Sequence, residues 1–150
     1  MSVESEGPTI QVGLQELLEQ AVALVSAQRG LIAVCVPDSD AMRIDAAFGL
    51  DRETAWTTGQ ISQSLLRRAV TQKRGILTHD ALEDKRFSET TSVILSGLRS
   101  AICEPVFVHE AVWGVVYVDN VIQSGAFRQS DLKKLKEFSA RVSQYIEKQV

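Results

Sequence analysis

Apolar side chains recur along the chain with two different spacings, which separate helical segments from extended ones. Helical spacing, with apolar positions three or four residues apart among charged ones, occurs in three segments, at 9 to 28, 61 to 74 and 130 to 150. Strand-like runs, rich in β-branched residues, lie at 30 to 37, 42 to 49, 75 to 79, 99 to 110 and 111 to 120. A short apolar piece at 90 to 96 is predicted to be a brief helix closed by Gly97.

Two of the predicted connections are tight enough to join neighbouring strands as hairpins. Asp and Ser residues at 38 to 41 favour a turn between the first two strands, and the last two strands meet at His109 and Glu110. Hairpins require antiparallel pairing. The sequence therefore predicts a central antiparallel sheet.

The last predicted strand, at 111 to 120, is apolar on both of its faces. Simple alternation places Val112, Gly114, Val116 and Val118 on one face, and Trp113, Val115 and Tyr117 on the other. A strand of this kind needs a cover on both sides, so we expect it at the centre of the sheet with helices above and below. The predicted fold class is α+β, a three-layer sandwich in one domain spanning residues 1 to 150.

The ends of the predicted helices are marked by capping residues. Ser62 is the expected N-cap of the second helix, and Gly75 is expected to end it. Ser130 and Asp131 are expected to open the last helix.

Composition narrows the class of protein further. The net charge of −3 argues against a surface devoted to binding nucleic acid, and no apolar run is long enough to span a bilayer. We expect a soluble, cytoplasmic domain. Cys35 and Cys103 lie in apolar strand-like runs without metal-site spacing, which predicts small buried side chains rather than zinc ligands or a disulfide framework.

The charged stretch at 79 to 89, HDALEDKRFSE, has the density of a catalytic or metal site. A histidine beside carboxylates can transfer protons or bind metal. The alternative is a solvated connection in which Glu83, Asp84 and Lys85 face water and Phe87 anchors the segment in the core. We favour the second interpretation for the three charged residues, and ligand contact stays open for the histidine, His79, and the aspartate that follows it.

Five pieces of the chain resemble the GAF domain family of small-molecule sensor modules, in the order that the family has them. They are SQSLLRRAV, GILTHDALEDKRFSE, GLRSAICEPVF, VWGVVYVDN and GAFRQSDLKKLKEFS. The resemblance implies a five- or six-stranded antiparallel sheet with the terminal helices on one face and a ligand pocket on the other. It implies a pocket roofed by residues 80 to 87 and 90 to 96, and floored by RSAIC and VVYVD. The pocket residues implied are His79, Asp80, Phe87, Val93, Leu98, Arg99, Ala101 and Cys103.

The same runs look like the GAF domains that precede the ATPase module of bacterial sigma-54-dependent transcription activators, and they also resemble those of sensor kinases and cyclases. Departures from other GAF motifs are visible. Cyclic-nucleotide relatives carry a lysine and a glutamate where this chain has Val121 and Leu132. Bilin-binding relatives combine a cysteine with an Asp-Ile-Pro turn and a following histidine, and this combination does not occur here. Cys103 has no resolving partner nearby in sequence, which a methionine sulfoxide reductase of this family needs.

The expected function is therefore sensing of a small molecule without catalysis, through a shift of population that reaches the terminal helices. The ligand, and any cofactor, cannot be named from the sequence. Arg99 either grips an anionic group of the ligand or forms an exposed ion pair. The stripes from Leu14 to Val25 and from Leu132 to Ile146 predict a homodimer through the terminal helices. The alternatives are an enzyme that uses Cys103 or His79, and a module that only dimerises.

Overall fold

The computed structural model describes residues 8 to 56, 61, 63 to 79, 100 to 122 and 124 to 149. This part of the chain forms three helices, α1 (Pro8–Leu24), α2 (Gln63–Gln72) and α3 (Gln129–Glu147). It forms five strands, β1 (Arg29–Cys35), β2 (Met42–Phe48), β3 (Ile76–Thr78), β4 (Ser100–Val108) and β5 (Ala111–Asn120). The brief helix predicted at 90 to 96 lies outside the described residues.

The five strands form one antiparallel sheet in the order β2-β1-β5-β4-β3. The strand that is apolar on both faces, β5, is the middle one, as its sequence predicts. Both predicted hairpins are present, β1 with β2 and β4 with β5. The α+β class and the central antiparallel sheet are therefore confirmed.

Each face of the sheet has its own buried core. On one face α1 and α3 pack together over alternate strand residues, and this core includes Leu18, Ile32, Val116 and Phe138. On the other face α2 covers a second core that includes Leu31, Leu65, Cys103 and Tyr117. The two terminal helices, α1 and α3, therefore share one face of the sheet, and α2 lies on the opposite face.

One prediction about β5 is wrong, because the strand contains a β-bulge at Trp113. The pairing with β4 passes from Val106 opposite Gly114 directly to Phe107 opposite Val112, so Trp113 is an extra residue. An extra residue reverses the alternation beyond it. Trp113 packs against the α1–α3 core, opposite to the face predicted, whereas Val112 lies on the α2 side beside Cys35.

The ends of two helices also differ from the prediction. Helix α2 stops at Gln72 rather than at Gly75, and the residue after it, Lys73, has a left-handed conformation with φ of 56°. The absence of a side chain at Gly75 has another cause, since a Cβ there would lie 2.0 Å from Oε2 of Glu104. Helix α3 begins at Gln129, and the Asp131 carboxylate accepts a hydrogen bond of 2.9 Å from the N–H of Arg128. Ser62 lies outside the described residues.

Gln15 ties α1 to the edge strand β2. Its side-chain amide donates to the carbonyl of Ala47 at 2.8 Å and accepts from the N–H of the same residue at 3.1 Å. We expect Gln15→Ala to lower the free energy of unfolding by about 1–2 kcal/mol, because two peptide groups lose their partner. Urea unfolding measures the loss. The control is Glu16→Ala on the exposed side of α1, which should change stability by less than about 0.5 kcal/mol; equal losses would contradict the prediction.

The β4–β5 hairpin turns through two residues that both have positive φ, His109 at 50° and Glu110 at 70°. Positive φ at both loop positions is the signature of a type I′ turn, in which glycine is preferred at the second position. We therefore expect Glu110→Gly to raise the free energy of unfolding by about 0.5–1 kcal/mol. Thermal unfolding tests this prediction. The control is Ala111→Gly inside the strand, where glycine should lower the free energy of unfolding. A loss of stability in both variants would show that the turn is not strained.

Candidate functional site

The α2 face of the sheet has a floor of mostly apolar and small side chains. One row of paired residues crosses all five strands, through Ala47, Leu31, Tyr117, Cys103 and Ile76. Helix α2 covers part of this floor with Leu65, Leu66 and Ala69, all fully buried. This is the face on which the resemblance to sensor domains places a ligand.

The next row of the same face is polar at three of its four positions. It runs from Arg29 through Asp119 and Ala101 to Thr78, and so crosses β1, β5, β4 and β3 in order. The row lies at the end of the sheet where β3 leads into the segment after His79. Buried polar groups in such a position need partners or they destabilise the fold.

Asp119 is the centre of a buried hydrogen-bond network. Arg29 binds its carboxylate in a two-pronged manner, with Nε donating to Oδ1 at 2.8 Å and a guanidinium NH₂ group donating to Oδ2 at 2.6 Å. The hydroxyl of Tyr117 donates to Oδ2 at 2.5 Å. Asp119 and Tyr117 are fully buried, and the Arg29 side chain is 13% exposed. The network therefore holds three strand positions in one geometry.

Burial and the Asp119 charge shift the titration of both partners. Burial raises the pKa of Tyr117 well above its ordinary value, and the neighbouring Asp119 carboxylate raises it further. Burial alone would lower the pKa of Arg29, but the hydrogen bond and charge of Asp119 outweigh that effect and raise it. The tyrosine thus stays neutral and the arginine stays charged, so the network is a fixed element of the floor rather than a proton donor or acceptor.

Thr78, at the far end of the polar row, has an unsatisfied hydroxyl. The residue is 1% exposed, and its Oγ1 makes no hydrogen bond. A buried hydroxyl without a partner destabilises a protein by roughly 1–3 kcal/mol, so its presence in a native structure needs an explanation. A ligand atom above the floor would supply the missing bond.

The sequence contains one signal for this network, in the spacing of Tyr117 and Asp119. Asp119 follows Tyr117 by two residues in a strand predicted to be covered on both faces, so its carboxylate had to be buried and paired. The chain offers few cations at strand ends, and Arg29 is the first residue of β1. What the sequence did not show is the register that sets these residues opposite each other.

Three of the predicted pocket residues lie in the described part of the chain. Ala101 and Cys103 are buried on the floor, each 1% exposed, in neighbouring rows. His79 is exposed just beyond β3, and its carbonyl accepts a hydrogen bond of 2.7 Å from the N–H of Gly125. The others lie outside the described residues: Asp80, Phe87, Val93, Leu98 and Arg99.

A separate cleft of about 210 Å³ opens at the other end of the same face, between α2 and the β1–β2 turn. Cys35, Met42, Val70 and Val112 form its apolar wall. Burial raises the pKa of the Cys35 thiol, which keeps it protonated and weakly nucleophilic. Cys35 and Cys103 do not form a disulfide with each other.

Two further kinds of site receive no support from the described residues. No group of three or more histidine, cysteine, aspartate or glutamate side chains among them is placed to hold a metal ion. None of the helices in the same residues is long and apolar enough to cross a membrane.

An antiparallel sheet with the terminal helices on one face and a partly polar floor on the other defines a three-layer α+β domain. The family model for the GAF domain matches residues 9 to 146, and the chain therefore belongs to the GAF domain family. A search of the curated proteins found no match.

Solved structures with low sequence identity have the same fold. The GAF domain of Acinetobacter phosphoenolpyruvate-protein phosphotransferase is 18% identical, with a TM-score of 0.69 over 91% of this chain and 81% of that one. The blue-light absorbing form of the Thermosynechococcus elongatus PixJ GAF domain is 12% identical, with a TM-score of 0.72 over 96% and 88%. The type II free methionine-R-sulfoxide reductase from Thermoplasma acidophilum is 14% identical, with a TM-score of 0.71 over 93% and 94%. One fold thus occurs in a light-absorbing domain, in a domain of a phosphotransferase and in a reductase, and the likeness by itself does not choose a function.

Proposed function

We propose that this protein is a ligand-sensing regulatory domain whose α2 face binds a small molecule. The observation that carries the proposal is the unpaired hydroxyl of Thr78, buried at the end of a polar row in an otherwise apolar floor. Ligand sites of this kind are mainly apolar, with a few polar groups that fix orientation. The proposed contacts include His79, Ala101 and Cys103, together with the predicted residues outside the described part of the chain.

The network around Asp119 gives this floor its rigidity. Asp119 is already bonded to Arg29 and Tyr117, so it fixes the positions of three strand residues and does not itself have to rearrange for a ligand. A ligand then changes the domain only through its different affinity for two states of the surrounding chain. We propose that those states differ in the positions of the terminal helices.

We further propose that the domain is the N-terminal sensor of a bacterial transcription regulator of the sigma-54-dependent kind. The support is the resemblance of several runs, among them SLLRRAV and GVVYVDN, to the sensor domains of such regulators. The same runs also resemble GAF domains of sensor kinases and cyclases, which are the alternative outputs. In each case the ligand acts through a module joined to the domain.

A non-enzymatic role is favoured by the surroundings of Cys103. A catalytic thiol must be accessible and easily ionised, whereas Cys103 is 1% exposed on the floor of the sheet. Reduction of free methionine sulfoxide by the purified protein, abolished in Cys103→Ser, would favour the enzyme instead.

A homodimer through the terminal helices is also proposed. Most of the predicted apolar stripe covers the chain's own sheet, since Leu14, Leu18 and Phe138 are buried within the monomer. What remains outside is Leu24, 47% exposed, one heptad after the half-buried Leu17. Light scattering across a concentration series tests the dimer, with Leu24→Glu expected to shift the protein toward a monomer.

The experiment that tests sensing uses Thr78→Val, which replaces the hydroxyl with a methyl group of the same size. Without ligand, we expect this variant to be about 1–2 kcal/mol more stable than the original protein, because an unsatisfied hydroxyl is gone. For the compound that most raises the melting temperature in a metabolite library, we expect roughly tenfold weaker binding, or about 1.4 kcal/mol.

Thr78→Ser is the matched control, since it keeps the hydroxyl, and it should keep the ligand affinity. An unchanged affinity in Thr78→Val would remove the support for a site above this residue. Native mass spectrometry of the purified protein is the direct way to find a ligand that stays bound during purification.

A further inference from the structure

The opposite face of the sheet contains a second cleft, between β4 and α3, with a volume of about 230 Å³. Its walls are formed by Glu104, Pro105 and Phe107 from β4, and by Lys136, Ser139 and Ser143 from α3. It lies on the side of the terminal helices, so it is separate from the floor of the site proposed above.

The cleft exists because β3 is much shorter than its neighbour. Strand β3 pairs only with Ala101 to Cys103, so among the described residues no strand covers the rest of the outer edge of β4, on the side away from β5. Pro105 has no N–H to offer at this edge, and the carbonyl of Phe107 accepts a hydrogen bond from the Ser143 hydroxyl. Both features close the edge to an added strand, which leaves a cleft suited to a small molecule.

Glu104 is the unusual group in this cleft. It is 4% exposed, and its Oε2 forms no hydrogen bond. Gly75 leaves room for the carboxylate on one side, since an added Cβ would lie 2.0 Å from Oε2. Lys136 is near enough to lower the pKa, yet burial prevails and raises the pKa of Glu104 to about 7.

The walls of the cleft offer hydrogen-bond acceptors almost alone. The Ser139 hydroxyl donates its proton to the carbonyl of Lys136 at 2.8 Å, and the Ser143 hydroxyl donates to the carbonyl of Phe107. A hydroxyl has one proton, so both oxygens can only accept further bonds. Glu104 also lines the cleft, so acceptors come from three side chains, and the donor, the Lys136 ammonium, lies on an exposed side chain.

We infer that this cleft binds a small primary ammonium ion with a short hydrocarbon chain, which donates to Glu104 and the two serine hydroxyls. An ammonium group has three donors and no acceptor, and so matches an acceptor-only wall. Ala140 supplies an apolar contact for the hydrocarbon, and Pro105 and Phe107 of the edge strand line the rest of the cleft. A cavity of about 150 Å³ accepts benzene, so the volume here suffices for an amine of four to six carbons.

The test is a titration with n-butylammonium chloride at pH 8.5, followed by the NMR shifts of the Ser139 and Ala140 amides. At this pH Glu104 is ionised, and a primary amine, with a pKa of about 10, remains protonated. Saturable shifts are expected, with at least tenfold weaker binding in Glu104→Gln and at pH 5.5. The pH dependence is assigned to Glu104 because its neighbours among the described residues bring one other charge. That charge is Lys136 on α3, whereas Gly75 before β3 and Val116 on β5 are uncharged.

Two further variants keep the outcome clear. Ala140→Leu fills the cleft from the exposed side of α3 and should abolish binding, while Ala23→Leu on the exposed side of α1 should not. Lys136→Met removes the chain's own competing ammonium and should strengthen binding. Three results would overturn the inference. Glu104→Gln would bind n-butylammonium as tightly as the original protein does, or the original protein would bind n-butanol as tightly as n-butylammonium. The third is the lack of a saturable shift in both the original protein and Lys136→Met.

Discussion

Replacing Glu104 with glutamine is expected to flatten the pH dependence of stability. The folded protein holds the Glu104 proton up to a pKa of about 7, whereas the unfolded chain releases it near 4.5. The stability that comes from this difference is therefore complete below pH 4.5 and is lost as pH rises through 7. The original protein should lose about 3 kcal/mol over this window relative to Glu104→Gln.

Urea unfolding at several pH values from 4.5 to 8 measures the difference between the two proteins. Comparison with a variant isolates this one carboxyl, because the other titrating groups are common to both. The matched control is Glu137→Gln on the exposed side of α3, whose stability curve should run parallel to that of the original protein. A parallel curve for Glu104→Gln as well would mean that Glu104 is ionised in the fold across the whole window.

Removing the carboxylate of Asp119 should be the most damaging change in the candidate site. Asp119→Ala leaves the Arg29 guanidinium largely buried without its anion and the Tyr117 hydroxyl without its acceptor. Breaking a buried pair in this way lowers the free energy of unfolding by about 3–5 kcal/mol. Denaturant unfolding measures the loss, and Tyr117→Phe should reproduce only about 1–2 kcal/mol of it.

The chain contains a matched control for this prediction. Arg43 binds Asp45 with the same two-pronged geometry, at 2.6 and 2.9 Å, but the Arg43 side chain is 39% exposed. After Asp45→Ala the arginine can turn to water, so the loss should be about 1 kcal/mol or less. Equal losses at Asp119 and Asp45 would contradict the view that burial sets the importance of the first pair.

The elements of the fold could be predicted because their signals are local. The alternation in β5 and the three-to-four spacing in α1 are properties of a few consecutive residues, and both elements appear near their predicted bounds. The bulge at Trp113 was missed, because a bulge is defined by the register with β4 and leaves no reliable mark in the strand's own sequence.

The site was harder to predict for the same reason. Arg29 and Asp119 are 90 positions apart in sequence, and only the pairing of β1 with β5 sets them side by side. Gly75 was interpreted as a helix end, whereas its role depends on Glu104 in another strand. Ala101 and Cys103 were placed on the floor through a family resemblance, and their position there agrees with the alternation of β4.

Strand β5 contributes side chains to both faces of the sheet. Tyr117 faces the candidate ligand floor, while its neighbours Val116 and Val118 face the terminal helices. The proposed ligand face and the helix face are thus two sides of one strand, so under the proposed function a displacement of β5 would reach both surfaces directly. Stiffening this one strand should leave the affinity for a ligand intact while silencing the response to it.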